Sequence, residues 1–203
     1  MLVGNRMTKN PATVTPEDLL SLAKQKMDAG GFRRVPVISA GQLVGMISDR
    51  DLRQYTSTLE RTKVNGMMTE KLITVRPSTT LEEAAHILLK HKIGGLPVVT
   101  DGRLVGIITT SDILKAFLDV MGASQEASTR IDFILEGEEH GLVEASRIVS
   151  REGGEILGIG TFRKTVGENP VCYLRLVTSK AVVIARGLRA SGFHVLGVHP
   201  VGS

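Results

Sequence analysis

The strongest constraint in this 203-residue sequence is an internal repeat whose two copies lie 61 positions apart without a gap. The densest match sets GQLVGMISDRD (41–51) against GRLVGIITTSD (102–112), and Met7-Thr8 recurs as Met68-Thr69. A single register held over this length indicates two copies of one supersecondary unit.

Each copy predicts the order strand, helix, strand, strand, helix. Apolar residues at helical spacing follow a short extended segment in both copies, and Thr80 with Glu83 reads as a capping box. Two apolar runs come next, with a turn between them at Ala40-Gly41 or Asp101-Gly102, and this arrangement predicts a hairpin. Because neither unit buries its apolar face alone, we expect the two sheets to pack face to face. The helical positions are Leu19, Leu20, Ala23 and Met27, then Leu81, Ala84, Ala85, Leu88 and Leu89.

These repeats resemble paired CBS domains, the regulatory Bateman module, over about residues 1–121. The markers are MT followed by V-x-P at the start of each unit, PV before the hairpin, and G-h-h-[ST]-x-x-D at its close. The resemblance implies an α+β fold with two βαββα units, at about 1–60 and 61–121. It also implies an adenosine-type regulatory ligand: AMP, ADP, ATP or S-adenosylmethionine.

The resemblance places nucleotide sites at Ser48 and Asp51 in one copy and at Thr109 and Asp112 in the other. A hydroxyl and free backbone N–H groups at a helix start suit a phosphate, and an Asp three residues on can accept both ribose hydroxyls. The alternative is a capping box, which has the same spacing and needs no ligand.

The two copies differ in their basic residues. Arg33 and Arg34 correspond to Gly94 and Gly95, and Arg50 corresponds to a serine. Arginine offers phosphate a planar fork of donors, which glycine lacks, so we expect the arginine-rich cleft to favour phosphorylated ligands. The other cleft would take an adenosyl group with little phosphate, or stay empty. The alternative for Arg33 and Arg34 is a solvated surface. The remaining implied nucleotide-binding residues are Thr13, Val14, Thr74 and Val75, as the leading strand against which adenine packs, and Ser111.

The C-terminal part follows a polar stretch, 122–129, that reads as a linker. Residues 130–203 predict the ferredoxin-like order βαββαβ and resemble an ACT domain. EEHGLV stands where that family tends to show D-x-P-G-x-L. The resemblance implies an amino-acid site at Glu138, His140, Gly141 and Leu142; the alternative is a domain used only for pairing. The other histidines have no ligand spacing around His140, so no metal site is expected.

Composition excludes several classes of function. Residues 1–123 hold 16 Lys/Arg and 12 Asp/Glu, residues 124–203 hold nine of each, and no basic run suggests nucleic-acid binding. Aromatic residues are 3% with no Trp, which argues against a base-stacking platform. The single cysteine, Cys172, fits a reducing cytosol and a small buried side chain. No apolar run approaches the ~20 residues that span a bilayer, so we expect a soluble cytoplasmic protein.

No catalytic motif is present: G-x-S-x-G, an activated cysteine, a metal cluster and a P-loop are all lacking. A CBS pair followed by an ACT-like domain resembles the acetoin-utilisation B-type bacterial regulators. The sequence therefore predicts a non-catalytic, homodimeric sensor of an adenosine-type ligand. The alternatives are an amino-acid-sensing ACT regulator and a scaffold whose CBS clefts are vestigial.

Overall fold

The computed structural model describes residues 1–124, 127–134, 141–163, 165, 167 and 169–200, and the backbone of Val201. The chain divides into two compact units, Met1–Leu114 and Lys115–Ser203. The regular elements of the first unit are β1 (Thr8–Lys9), α1 (Leu20–Gly30), β2 (Arg34–Ser39), β3 (Gln42–Ser48), α2 (Asp49–Arg53), α3 (Leu81–His91), β4 (Gly95–Thr100), β5 (Arg103–Thr109) and the start of α4 (Thr110–Val120).

The two predicted hairpins are present, with β2 antiparallel to β3 and β4 antiparallel to β5. Both turns have left-handed backbone at their two central residues: φ is 48° at Ala40 and 78° at Gly41, and 51° at Asp101 and 76° at Gly102. Two positive φ angles define the type I′ turn, whose twist matches that of the flanking strands. The turn chemistry in the sequence therefore sets the register of both hairpins.

The copies exchange their leading segments. Strand β1, from the start of the first copy, pairs with β5 of the second, with Thr8 opposite Ile107. In the other direction, Thr69 bridges Met46 on β3 of the first copy. The Val3 N–H also donates to Thr79 O over 2.8 Å. Each sheet is completed by the other copy, so residues of both copies meet where β3 and β5 end.

The helices bury most of the apolar stripe that the sequence predicts; the exceptions are Leu19 in the first copy, and Leu89 and the partly buried Ala85 in the second. Leu19 precedes α1 as its N-cap residue and is 36% exposed, and Leu89 on α3 is 75% exposed because it faces away from the sheet. Thr80 caps α3 by accepting the Glu83 N–H over 3.1 Å. Helix α2 begins at Asp49, two residues before the predicted start, and has only five residues. The buried helical side chains are Leu20, Ala23, Met27, Leu81, Ala84 and Leu88.

The second unit has the element order βαββαβ. Its strands form one antiparallel sheet in the order β7-β8-β6-β9. Strand β6 begins inside the stretch that the sequence assigns to a linker, because Ser128 and Thr129 already pair with β9. Side chains from α5, α6 and one face of the sheet form the core, which includes the predicted buried Cys172. The elements are β6 (Ser128–Ile134), α5 (Gly141–Arg151), β7 (Glu155–Phe162), β8 (Val171–Val177), α6 (Ala181–Ala190) and β9 (His194–Val201).

Candidate functional site

A cavity of about 440 Å³ opens in the first unit where β3 runs into α2. Basic side chains dominate its polar lining. The cavity is bordered by only two carboxylates, Asp49 and Asp51, against six cationic side chains. The six are Arg33, Arg34, Arg50, Arg53, Lys71 and Lys92. The structure thus brings the three arginines singled out by the repeat comparison to one site, and adds three cations that the comparison missed.

Most of this positive charge is not neutralised by the protein. Arg53 Nη2 pairs with Asp49 Oδ2 over 2.9 Å. Within the described part of the chain, the other five cations form neither an ion pair nor a side-chain hydrogen bond. Burial, followed by repulsion from Arg33 and Arg50, lowers the pKa of the Arg34 guanidinium. Like charges held together at a half-buried site favour a bound anion.

Asp51 both caps α2 and borders the cavity. Its Oδ2 accepts hydrogen bonds from the Ser48 N–H over 2.8 Å and from the Ser48 hydroxyl over 2.6 Å. The capping-box alternative is therefore realised. Among the described residues Oδ1 has no hydrogen-bond partner, so one carboxylate oxygen keeps its acceptor capacity.

The start of α2 offers few free donors to a phosphate. The Asp49 N–H donates to Arg33 O over 2.9 Å, and the Asp51 N–H is used in the capping box with Ser48. These two backbone N–H groups, which the sequence predicts to be free for a phosphate, therefore already have partners within the protein. The basic side chains are the most numerous donors that border the cavity.

The apolar part of the lining comes mainly from the second copy. Leu72 and Ile73 lie in its leading segment, which the Thr69–Met46 bridge holds against β3. The sequence did not single out these residues, because nothing in the local pattern shows that the segment pairs with the other copy. The remaining lining residues are Met46, Thr69, Ile93, Gly95 and Pro97.

The four leading-strand residues predicted to contact adenine lie elsewhere. Val14 and Val75 form isolated parallel bridges with Val37 and Val98, and are 2% and 5% exposed. Neither they nor their neighbours Thr13 and Thr74 border the cavity. Val14 and Val75 each add a one-residue bridge to the edge of a hairpin. The cavity is instead bordered by Leu72 and Ile73, which come just before Thr74.

The second copy repeats the Ser48–Asp51 geometry but does not border this cavity. Asp112 Oδ2 accepts from the Thr109 N–H over 2.9 Å and from its hydroxyl over 2.6 Å. Ser111 is exposed on the first turn of α4. Arg50 and Asp51 therefore line the described cavity. The corresponding residues of the second copy, Thr109, Ser111 and Asp112, lie outside it, at the start of α4.

The predicted amino-acid site is only partly within the described residues. Glu138 and His140 lie outside them. Gly141 is the buried first residue of α5, and Leu142 beside it is 36% exposed. Across the described residues, no three His, Cys, Asp or Glu side chains are placed to hold a metal ion. No described helix has the length and apolar character needed to cross a membrane.

A family model of the CBS domain matches residues 3–57 and 64–119. Among curated proteins, inosine-5'-monophosphate dehydrogenase of Staphylococcus aureus is 42% identical over 114 residues. That match covers 55% of this chain but only 23% of the enzyme, so the chain spans about a quarter of the length of these curated relatives. The likeness is to the CBS region of the enzyme.

Solved structures give the same assignment. A Vibrio cholerae structure described as an acetoin utilization protein (AcuB) is 34% identical, with a TM-score of 0.56 over 61% of this chain and 95% of that one. CBSX2 of Arabidopsis thaliana, in complex with AMP, is 34% identical (TM-score 0.53; 58% and 96% covered). The CBS pair of MJ0100, in complex with 5-methylthioadenosine and S-adenosyl-L-methionine, is 28% identical (TM-score 0.54; 58% and 95% covered). The repeat, the exchanged leading segments and these matches show that the chain belongs to the CBS domain family, as a tandem CBS pair.

Proposed function

We propose that this chain is a non-catalytic sensor whose CBS pair binds a phosphorylated adenosine, with AMP the simplest example, in the cationic cavity. The observation that carries the proposal is a group of five cations around a cavity of about 440 Å³ that have no ion-pair or side-chain hydrogen-bond partner among the described residues. A volume in the range of about 300–1,000 Å³ is typical of small-molecule sites.

Each part of the ligand has a counterpart in the lining. Arg33 and Arg50 offer phosphate oxygens planar forks of donors, and Lys71 adds a flexible ammonium group. The free Oδ1 of Asp51 is an acceptor for ribose hydroxyls. Leu72 and its apolar neighbours provide a surface for the adenine ring.

Two related structures support an adenosine ligand. The CBSX2 structure contains AMP, and the MJ0100 structure contains 5-methylthioadenosine and S-adenosyl-L-methionine. We infer that Thr109, Ser111 and Asp112 belong to a second, weaker adenosine site in the other copy. Thr109 and Asp112 have the same cap geometry as the first copy, and this copy lacks the first copy's pair of adjacent arginines.

We further propose that residues 128–203 form an ACT-like pairing domain, preceded by a CBS pair at 1–121 and a linker at 122–127, two residues shorter than the sequence predicts. The βαββαβ order and the sheet order β7-β8-β6-β9 support this assignment. The edge strand β7 carries three large apolar side chains, Ile156, Ile159 and Phe162, that are 36%, 46% and 41% exposed. An unpaired apolar edge favours association, and we propose a homodimer that forms through β7.

Thermal unfolding and calorimetry of the full chain with AMP, adenosine and S-adenosylmethionine test the sensor proposal. AMP should bind more tightly than adenosine, because only AMP uses the cations. At 100 times its Kd, AMP should stabilise the folded chain by about 2.7 kcal/mol. If none of the three compounds binds at millimolar concentration, the sensor proposal is wrong and a scaffold with unused clefts is favoured.

A further inference from the structure

Arg34 reaches from the first CBS copy to the second. Its guanidinium lies directly over Gly94: a Cβ built on this glycine would be 2.7 Å from Nη2 and 3.0 Å from Nη1 of Arg34. A Cβ on Gly95 would be 3.5 Å from Arg34 Cδ. Glycine at position 94 is therefore what leaves room for the guanidinium.

Gly94 holds the place in the second copy that Arg33 holds in the first. Its carbonyl accepts the Thr110 N–H over 3.3 Å, just as the carbonyl of Arg33 accepts the Asp49 N–H over 2.9 Å. The guanidinium of Arg34 thus lies over Gly94, the position at which the first copy has Arg33 and the second copy has no arginine. Gly94 is hydrogen-bonded to Thr110, and a Cβ on the next residue, Gly95, would be 3.5 Å from Thr109 Cγ2, so this position borders the start of α4.

The repeat leads to the same placement independently. Gly95 borders the first cavity although it belongs to the second copy. Arg34 is the equivalent of Gly95, so the pseudo-twofold relation between the copies places Arg34 at the second cleft. Arg34 borders the first cavity as well, because its long side chain extends across the junction.

No ion pair fixes the guanidinium. Within the described residues Arg34 has no salt bridge, and repulsion from Arg33 and Arg50 acts on it from the first cavity. In the described part of the chain, Asp51 is the one carboxylate among the charged groups that act on the Arg34 guanidinium. An anion in either cleft is therefore its strongest available partner.

We propose that Arg34 is an anion-binding residue shared by the two clefts. It lies over Gly94 and provides a cation to the Thr109–Asp112 cleft. When a phosphate occupies the first cavity, Arg34 turns toward it, and the second cleft loses its cation. One guanidinium cannot bind both phosphates fully, so two AMP molecules bind with negative coupling. This inference rests on the proposed adenosine sites.

Gly94→Ala tests the proposal without removing a charge. The new methyl group would occupy the space of Nη2, and the nearest atoms are all at the flexible end of Arg34, so the fold can adjust. Gly66→Ala is the matched control, since a Cβ there has no neighbour within 4 Å. AMP is titrated into the full chain by calorimetry in Asp51→Asn and Asp112→Asn backgrounds. Asp51→Asn weakens the first cleft, so that the second can be followed, and Asp112→Asn weakens the second, so that the first can be followed.

Gly94→Ala should weaken AMP binding at the second cleft by about tenfold and leave the first cleft at least as tight as in the parent. Gly66→Ala should change neither affinity. In the chain with both clefts intact, the second AMP should bind more weakly than it does in the Asp51→Asn background.

Unchanged AMP affinity at the second cleft in Gly94→Ala would overturn the shared role of Arg34 and leave the first adenosine site standing. Independent binding of two AMP molecules would do the same. Absence of AMP binding to the unmodified chain would overturn the proposed function and this inference together.

Discussion

Ser48 and Asp51 are joined by two hydrogen bonds to a single carboxylate oxygen, which accepts the Ser48 N–H over 2.8 Å and the Ser48 hydroxyl over 2.6 Å. Thr109 and Asp112 repeat this geometry, but only the first pair borders the cationic cavity. The cap and the proposed phosphate-binding cavity therefore share one residue in the first copy, whereas the cap of the second copy lies outside that cavity.

Asp51→Ala should lower both stability and AMP affinity. Loss of the cap costs about 1 kcal/mol of unfolding free energy, and loss of the ribose acceptor should weaken AMP by about tenfold or more. Asp112→Ala should cost a similar amount of stability while leaving AMP binding in the cationic cavity unchanged. Urea unfolding and calorimetry measure the two effects separately. Equal AMP affinity in both variants would mean that Asp51 only caps the helix.

Arg33→Ala should weaken AMP far more than adenosine. A charge-assisted hydrogen bond contributes about 1.5–3 kcal/mol, so AMP should lose about 10- to 100-fold in affinity. Arg103→Ala is a suitable control, because Arg103 is exposed on β5 of the same unit and does not border the cavity. Equal losses for AMP and adenosine would show that Arg33 does not contact the phosphate.

Phe133→Ala should destabilise the C-terminal unit. Phe133 is fully buried on β6, and its ring meets that of Phe193 edge to face with centroids 5.2 Å apart. Removing a buried phenylalanine costs about 3–5 kcal/mol, whereas Val182→Ala, 67% exposed on α6, should cost less than about 1 kcal/mol. Denaturant unfolding followed by circular dichroism compares the two variants. Equal losses would contradict the assigned core.

Cys172 should be nearly inert in the folded protein. Burial, with a smaller effect of Asp132, raises the pKa of its thiol from 9.0 to about 11. At pH 8 the folded state then holds about 100-fold less thiolate than the unfolded state, so iodoacetamide should label Cys172 only after unfolding.

The same shift predicts how stability changes with pH. Between pH 9 and 11 the unfolded thiol loses its proton before the folded one, so this group lowers the free energy of unfolding as pH rises through that range. Below pH 9 it contributes no slope. Cys172→Ala should abolish this part of the pH dependence. A parent and variant with identical profiles from pH 9 to 11 would contradict the buried, neutral thiol.

The sequence predicted the elements well because the signals for them are local. Hairpin turns at Gly41 and Gly102 and the cap at Thr80 depend on residues close along the chain, and the structure contains all three. The repeat made these predictions stronger, since each signal occurs twice in one register.

The candidate site was predicted only in part, because its walls depend on pairing between distant segments. Thr69 bridges Met46, and this contact brings Leu72 and Ile73 to the cavity in place of the valines predicted from the leading strands. The reach of Arg34 over Gly94 is likewise a contact between copies. The sequence shows that Arg33 and Arg34 of the first copy are replaced by Gly94 and Gly95 in the second. It does not show that Gly94 leaves room for the side chain of Arg34.

In the proposed homodimer, one edge strand of the C-terminal sheet, β7, lies in the interface, and the other edge strand, β9, does not. Ile159 on the edge strand β7 is 46% exposed, and Leu196 on the opposite edge strand β9 is 45% exposed, so a lysine at either position should disturb the monomer equally little. If β7 pairs across the dimer, Ile159→Lys places two like charges at the interface and should convert the dimer to monomer. Leu196→Lys should leave it intact. Light scattering on the full chain at micromolar concentration decides between these outcomes. A monomeric parent chain would refute the dimer, and a dimer that survives both substitutions would move the interface away from both sheet edges.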